Sequence, residues 1–336
     1  MGAVAETPGF GERVRAFLSS KIPTASDLRV ERCERISGGF SWEIFRIEAS
    51  WRAGGERRAA SYMLRMAPEG GVLEPYDAER EFRTLEAVGA AGIPVPSVHW
   101  LEKDASVLGA EFYVMDYVPG EVPVPWDQAL ASDASRAEPM HRQFVEVVAA
   151  IHRLDWRAAG LDFLGVPHEG TGAALQEIEH CERVYERASS QTYPIVGEVL
   201  RWLRANAPST DRITLVHGDC RVGNFIWRDG RIAAFLDWER AFLGDPMADI
   251  AWTRSPGLSG WSAIDGAMGA YYEQQSGIRI DETRVRYWSV LEGLKAFLIG
   301  LTALTAFTEG RGHDLRLVTI GRMAHLSLPT LLEATG

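Results

Sequence analysis

Asp219, Asn224 and Asp237 are the residues of this sequence whose types and spacing point to a definite chemistry. A carboxamide follows the first acid by five positions, and a second acid follows the amide by thirteen. Phosphoryl transfer from a metal-bound nucleotide needs such a set: one carboxylate to orient the attacking hydroxyl, and two oxygen ligands for the magnesium ion that bridges the phosphates. Asp and Asn are also common turn residues, and an isolated D-x4-N match arises readily by chance. The elements around the three residues must therefore decide.

Residues 213–216 form an apolar strand candidate before the motif, and 225–227 form another directly after Asn224. Arg228-Asp229-Gly230-Arg231 then carries Asp-Gly, the strongest short-range signal of a tight hairpin turn. The apolar run 232–236 completes the pair and Asp237 closes it. Pairing the two runs across the turn brings Asn224 and Asp237 together, with Asp219 on the loop just before them. A shared metal site follows from that hairpin.

The string resembles the catalytic core of the aminoglycoside phosphotransferase-like family (choline kinase type), small-molecule kinases that share the protein-kinase fold. That core reads H-G-D-x-x-x-x-N and then I-D-W/F-E; here it stands as His217-Gly218-Asp219…Asn224 and Leu236-Asp237-Trp238-Glu239. The resemblance implies Asp219 as the catalytic aspartate and Asn224 and Asp237 as magnesium ligands. It makes His217 a buttress of the loop, and it leaves a role for Glu239 open. Cys220 departs from the bulky residue expected there, a change that bears on loop packing rather than chemistry.

A kinase-like N-lobe should supply a glycine turn, a cation on a following strand, a helix with a carboxylate, and a hinge. Ser37, Gly38, Gly39 and Ser41 lie at the head of a β-like run, 42–49, where glycines let amides approach phosphates and serines add donors. The turn resembles the family's glycine loop, although it is shorter and less regular than G-x-G-x-x-G. Arg65, on the strand 60–66, occupies the position that resembles the phosphate-binding lysine. Arginine departs from the lysine of many members, yet its fork binds phosphate bidentately and stays charged. The segment 77–91 has helical spacing and stops at Gly92. Glu81 is the expected partner of Arg65 by the family's spacing, with Glu79 second and a solvated face as the competing reading. Strands at 98–103 and 110–118 flank a loop at 104–109, and backbone groups near Asp116 and Val118 resemble the hinge that meets the adenine edge.

Beyond Gly120 the pattern turns helical. Phe144, Val147, Val148, Ile151 and Leu154 form one apolar stripe, with His152 on the same helix as a structural hydrogen-bonder. Segments 173–188 and 194–205 read as two helices resembling the family's substrate-binding insert. Asp245 and Asp249, in a stretch resembling G-D-P-x-x-D-L-A, are expected to cap a helix and tie the catalytic loop down.

The expected fold class is therefore α+β and two-lobed, with a small antiparallel N-lobe (1–116) and a larger, mainly helical C-lobe (117–336). Length fits two lobes, and 46% hydrophobic residues supply a core. With 46 acidic against 35 basic side chains, net charge −11 and no basic block, nucleic acid is disfavoured as a partner. Three scattered cysteines suit a reduced cytoplasmic setting. The N-terminus has no basic-then-apolar signal, and Glu6 stands where a myristoylation site wants Ser or Thr. The apolar run 296–307 is too short to span a bilayer.

The reading that results is an ATP-dependent (or GTP-dependent), magnesium-requiring phosphotransferase acting on a hydroxyl of a small molecule, monomeric or homodimeric. Glu177, Glu179, Asp265 and Glu273 could draw a polycationic aminoglycoside, though the acidic balance equally serves solubility. The family's members act on aminoglycosides, macrolides, choline, sugars and homoserine. The branch with arginine at the position of Arg65 also resembles kinase domains associated with acyl-CoA dehydrogenases, which implies a hydroxy-acyl acceptor. A nucleotide-binding pseudokinase scaffold is a separate alternative. A protein kinase is disfavoured by the missing A-P-E signature after Asp237.

Overall fold

The computed structural model describes residues 9–36, 41–189, 191–255, 260–325, 328 and 331–332. The chain divides into two compact units, one of residues 1–82, 97–117 and 299–323, the other of 83–96, 118–298 and 324–336.

In the first unit five strands form an antiparallel sheet in the order β1-β2-β3-β5-β4: β1 is Ser26–Ile36, β2 Glu43–Ala53, β3 Glu56–Met66, β4 Val98–Glu102 and β5 Phe112–Asp116. Side chains alternate across a strand with period two, so Phe45, Ile47 and Ala49 of β2 join Leu64 and Met66 of β3 on one face. That face packs against the helix Phe10–Lys21 through Phe10, Val14, Phe17 and Leu18. Phe10 meets Phe45, and Phe17 meets Phe112, at ring separations of 4.8 Å. Such buried aromatic and aliphatic side chains contribute roughly 1.5–3 kcal/mol each. Alternation sends Arg65 to the opposite face from Leu64 and Met66. The stretch 104–109, expected as loop, contains one helical turn, Ala105–Leu108, because Asp104 caps it by accepting from Ser106 N at 2.8 Å.

The second unit is helical around two small strand pairs. Strand β6 (Thr214–Val216) pairs with β9 (Phe242–Gly244), and β7 (Phe225–Arg228) pairs with β8 (Arg231–Phe235) across the Asp229-Gly230 turn. Both turn residues have positive φ, 52° and 76°, which suits Asp and Gly. The helix Ala134–Arg153 buries Phe144, Val148 and Ile151 as its spacing predicts, but Val145 rather than Val147 is fully buried. Phe144 lies 6.1 Å from Phe225 and 5.8 Å from Phe235, which seats the hairpin on this helix.

The apolar run 296–307 belongs to a longer helix, Glu282–Thr308. Of the described residues, this is the one helix long and apolar enough by length and composition to cross a membrane; 61% of its apolar window is buried inside the protein. The expected short run misjudged its length because buried charges, Glu292 and Lys295, interrupt the pattern.

Candidate active site

Three tethers build the loop that carries Asp219. Asp249, fully buried on the helix Met247–Thr253, accepts the amide of His217 on Oδ2 and that of Gly218 on Oδ1, both at 2.8 Å. His152 Nε2 lies 3.0 Å from the same carboxylate and its Nδ1 lies 2.7 Å from the Tyr272 hydroxyl, so this histidine is a structural partner. Burial alone would raise the Asp249 carboxyl, but the hydrogen bond and charge of His152, together with His217, outweigh it and hold it below the ordinary value. Asp245 takes the helix start, accepting from Met247 N at 3.0 Å.

His217 is the second tether. Its Nε2 donates to the Leu236 carbonyl at 2.9 Å and its Nδ1 accepts from the Asp219 amide at 3.1 Å. That pattern requires the neutral ring with the proton on Nε2. Burial agrees, pushing the imidazole below its ordinary value against the charges of Asp249 and Asp219. His217 therefore fixes the loop to the end of β8.

The third tether is Asn224. Its Nδ2 donates to the Asp219 carbonyl at 2.9 Å and to the Asp219 carboxylate at 2.6 Å. Its own carbonyl accepts from Leu236 N at 2.8 Å, which places Asp237 one residue beyond Asn224's partner across the hairpin. Asp237 has a left-handed backbone, φ 62° and ψ 61°, a conformation that Asp tolerates but most residues avoid. Its charge acts on His217. Glu239 follows on the single turn Trp238–Arg240 and is half-buried.

This donor set is of a kind that suits magnesium. Asn224 directs its N–H groups to Asp219, so its side-chain oxygen and the Asp237 carboxylate are the groups that would hold the ion. Magnesium takes few protein oxygens and fills its octahedron with phosphate and water. Among the described residues no group of three or more His, Cys, Asp or Glu stands together as a metal centre, and an amide with one acid falls outside that pattern.

In the first unit Arg65 is buried, 4% exposed, and does not face water. Its Nη1 stands 3.4 Å from Oε1 of Glu81, itself 2% exposed, and its guanidinium lies 5.6 Å from the Trp42 ring centre. Glu79 instead pairs with Lys103 at 2.6 Å on the surface. Asp116 ends β5, its amide donating to the Ser97 carbonyl and its carboxylate 2.6 Å from His99 Nε2; Val118, in the second unit, is half-buried. Ser41 is half-buried at the head of β2, whereas Ser37, Gly38 and Gly39 lie outside the described residues.

The sequence profile of the phosphotransferase enzyme family, APH, matches residues 32–288. The chain belongs to this family. It is 35% identical over 195 residues to acyl-CoA dehydrogenase family member 10 of Mus musculus, a match covering 57% of this chain and 18% of that protein. The chain thus spans under a fifth of that relative's length. Among solved structures, a Ralstonia eutropha protein assigned as an aminoglycoside phosphotransferase superimposes with a TM-score of 0.66 at 24% identity, covering 96% of this chain and 97% of the other. A thermostable mutant of the aminoglycoside phosphotransferase APH(4)-Ia, in a ternary complex with ADP and hygromycin B, gives 0.52 at 18% identity, covering 96% and 98%. The phosphotransferase fold expected from the motif, α+β and kinase-like, is the fold of this chain.

Other groups around the site of this phosphotransferase escaped the sequence reading. Trp252 Nε1 donates to Asp219 Oδ1 at 2.7 Å, and Arg221 Nε reaches the same oxygen at 3.2 Å. Arg240 binds Glu292 at 2.7 Å, and Lys295 bridges Glu292 at 2.8 Å and Glu177 at 2.7 Å. Glu177 is thus a buried partner of lysine, not a surface acid for a cationic antibiotic. Burial alone would depress Lys295, but Glu177 and Glu292 outweigh it and hold the ammonium charged. No spacing rule links these positions; only Asp249 and Trp252, three residues apart on one helix face, share a local signal. Cys220 is fully buried, and burial with the nearby Asp249 charge pushes its thiol well above the ordinary value.

Proposed function

We propose that the chain transfers the γ-phosphoryl group of ATP to a hydroxyl of a small molecule, with Asp219 as the group that orients that hydroxyl and takes its proton. The observation that carries this reading is the Asp219 carboxylate, gripped on Oδ1 by Trp252 and on Oδ2 by Asn224. A carboxylate fixed through both oxygens holds one direction toward an incoming hydroxyl, and positioned acid–base groups supply about 10²–10⁴-fold in rate. Asn224 and Asp237 would hold magnesium, which when bound offsets charge on the phosphate oxygens. Arg65, paired with Glu81, is the cation for phosphate, and Asp116 and Val118 offer main-chain groups to the base. GTP remains the alternative donor.

For the acceptor, the 35% identity to a protein named as an acyl-CoA dehydrogenase family member supports a hydroxy-acyl metabolite over an antibiotic. The antibiotic phosphotransferases share the fold at lower identity, and the burial of Glu177 removes one acid from a cation-binding surface. Magnesium-dependent ADP release, screened against hydroxylated acyl metabolites and antibiotics, tests the reading. Asp219→Asn should lose at least about 100-fold in turnover while keeping its fold; undiminished turnover in that variant would remove the proposal. A nucleotide-binding scaffold would release no ADP with any acceptor.

A further inference from the structure

The helix Met247–Thr253 grips the catalytic loop at two points from one face. Asp249 holds the loop's backbone through two amides, and Trp252, three residues later, holds its carboxylate. Of the donors on Asp219, Trp252 is the rigid one. Arg221 is two residues away on the same loop, contacts at 3.2 Å and leaves 28% of its side chain exposed. Asn224 would also hold the metal in the proposed function. The Trp252 indole is 5% exposed, donor-only, and 2.7 Å from Oδ1.

The indole is itself held. The Arg240 guanidinium lies over its ring, 4.4 Å from the centroid, in a cation–π contact. Arg240 cannot swing away, because Glu292 accepts from it at 2.7 Å while Lys295 occupies the other Glu292 oxygen at 2.8 Å. The same residue's backbone presses on the loop: a Cβ at Gly218 would sit 2.5 Å from the Arg240 carbonyl oxygen. A buried ion cluster thus ends on an aromatic plane, and that plane ends on Asp219.

We propose that Trp252 is a positioning residue for the Asp219 carboxylate and that Arg240, clamped on Glu292, sets the plane of its indole. The inference rests on Asp219 being the acceptor-orienting group. Trp252→Phe keeps the ring on Arg240 and removes only the N–H. It should lower kcat about 10–100-fold, as a misaligned catalytic group does, with both KM values within about threefold. Arg240→Met should lower kcat per folded enzyme, and Arg240→Lys should recover part of it. If Arg240 acts through the indole, the Trp252→Phe/Arg240→Met double variant turns over no more slowly than Trp252→Phe alone. Should Arg240→Met not fold, the same cycle is run with Arg240→Lys.

A Trp252→Phe enzyme with wild-type kcat would overturn the proposal, as would losses that multiply in the double variant. Asp219→Asn is the control that separates the two readings. If it is inactive while Trp252→Phe is unimpaired, only the positioning role falls; if it turns over normally, the role of Asp219 and this inference fall together.

Discussion

Each compact unit buries an ion cluster, and the two are built differently. Arg65 and Glu81 meet at 3.4 Å, beyond good hydrogen-bond length, whereas Glu177, Lys295, Glu292 and Arg240 link at 2.7–2.8 Å. Both clusters bear the cost of taking charges out of water. The four-charge cluster offsets it with short charge-assisted bonds and aromatic faces, Phe242 at 4.6 Å from Lys295 among them. The Arg65–Glu81 pair has the Trp42 ring beside it, 5.6 Å from the guanidinium. In the proposed function the four-charge cluster is scaffold for Asp219, and the Arg65–Glu81 pair serves the nucleotide.

Breaking the scaffold should have the larger effect on stability. Lys295→Met leaves two buried carboxylates that each bonded the lost ammonium, and about 3–5 kcal/mol of unfolding free energy should disappear in denaturant titration. A loss below about 1 kcal/mol would mean that the cluster is no tighter in energy than in outline. Arg65→Lys keeps the charge but loses the fork. Stability should change little, while the KM for nucleotide rises about tenfold, the worth of one hydrogen bond to a charged group. An unchanged KM would make this pair scaffold as well.

The smallest effect concerns His217. Its folded value lies below the ordinary 6.5, so the unfolded chain binds more protons near that pH. Stability is therefore fully present above 6.5 and falls as pH drops below it. The depressed value of Asp249 acts only below its ordinary 3.8 and does not overlap. Tm should decline between about pH 7.5 and 5.5, and His217→Gln, which still donates to Leu236, should flatten that decline. His141 and His180 shift the same way through burial, so the flattening is partial.

What the sequence made legible is what short-range rules govern. The Asp229-Gly230 turn set the hairpin register, and with it the neighbourhood of Asn224 and Asp237. The family's spacing pointed to Glu81 as the partner of Arg65, and the two meet. Asp249 was readable as a tether because its segment matched a known pattern. Trp252 on Asp219, and Arg240 on Glu292, were not readable: these partners stand 33 and 52 positions apart. Their meeting depends on how separate elements pack, which no local periodicity encodes. Glu177 was misjudged for the same reason, since an acid on an amphipathic helix looks solvated until its lysine is in place.

Cys220 follows Asp219 directly and is sealed from solvent, its thiol held protonated by its surroundings. Cys181 is buried as well, and only Cys33 is partly open. An alkylating reagent therefore meets Cys33 first and reaches Cys220 only when the catalytic loop lifts from its helix. The chain carries its own clock for that opening: the labelling rate of one sulfur reads how often the loop comes loose, without any introduced probe.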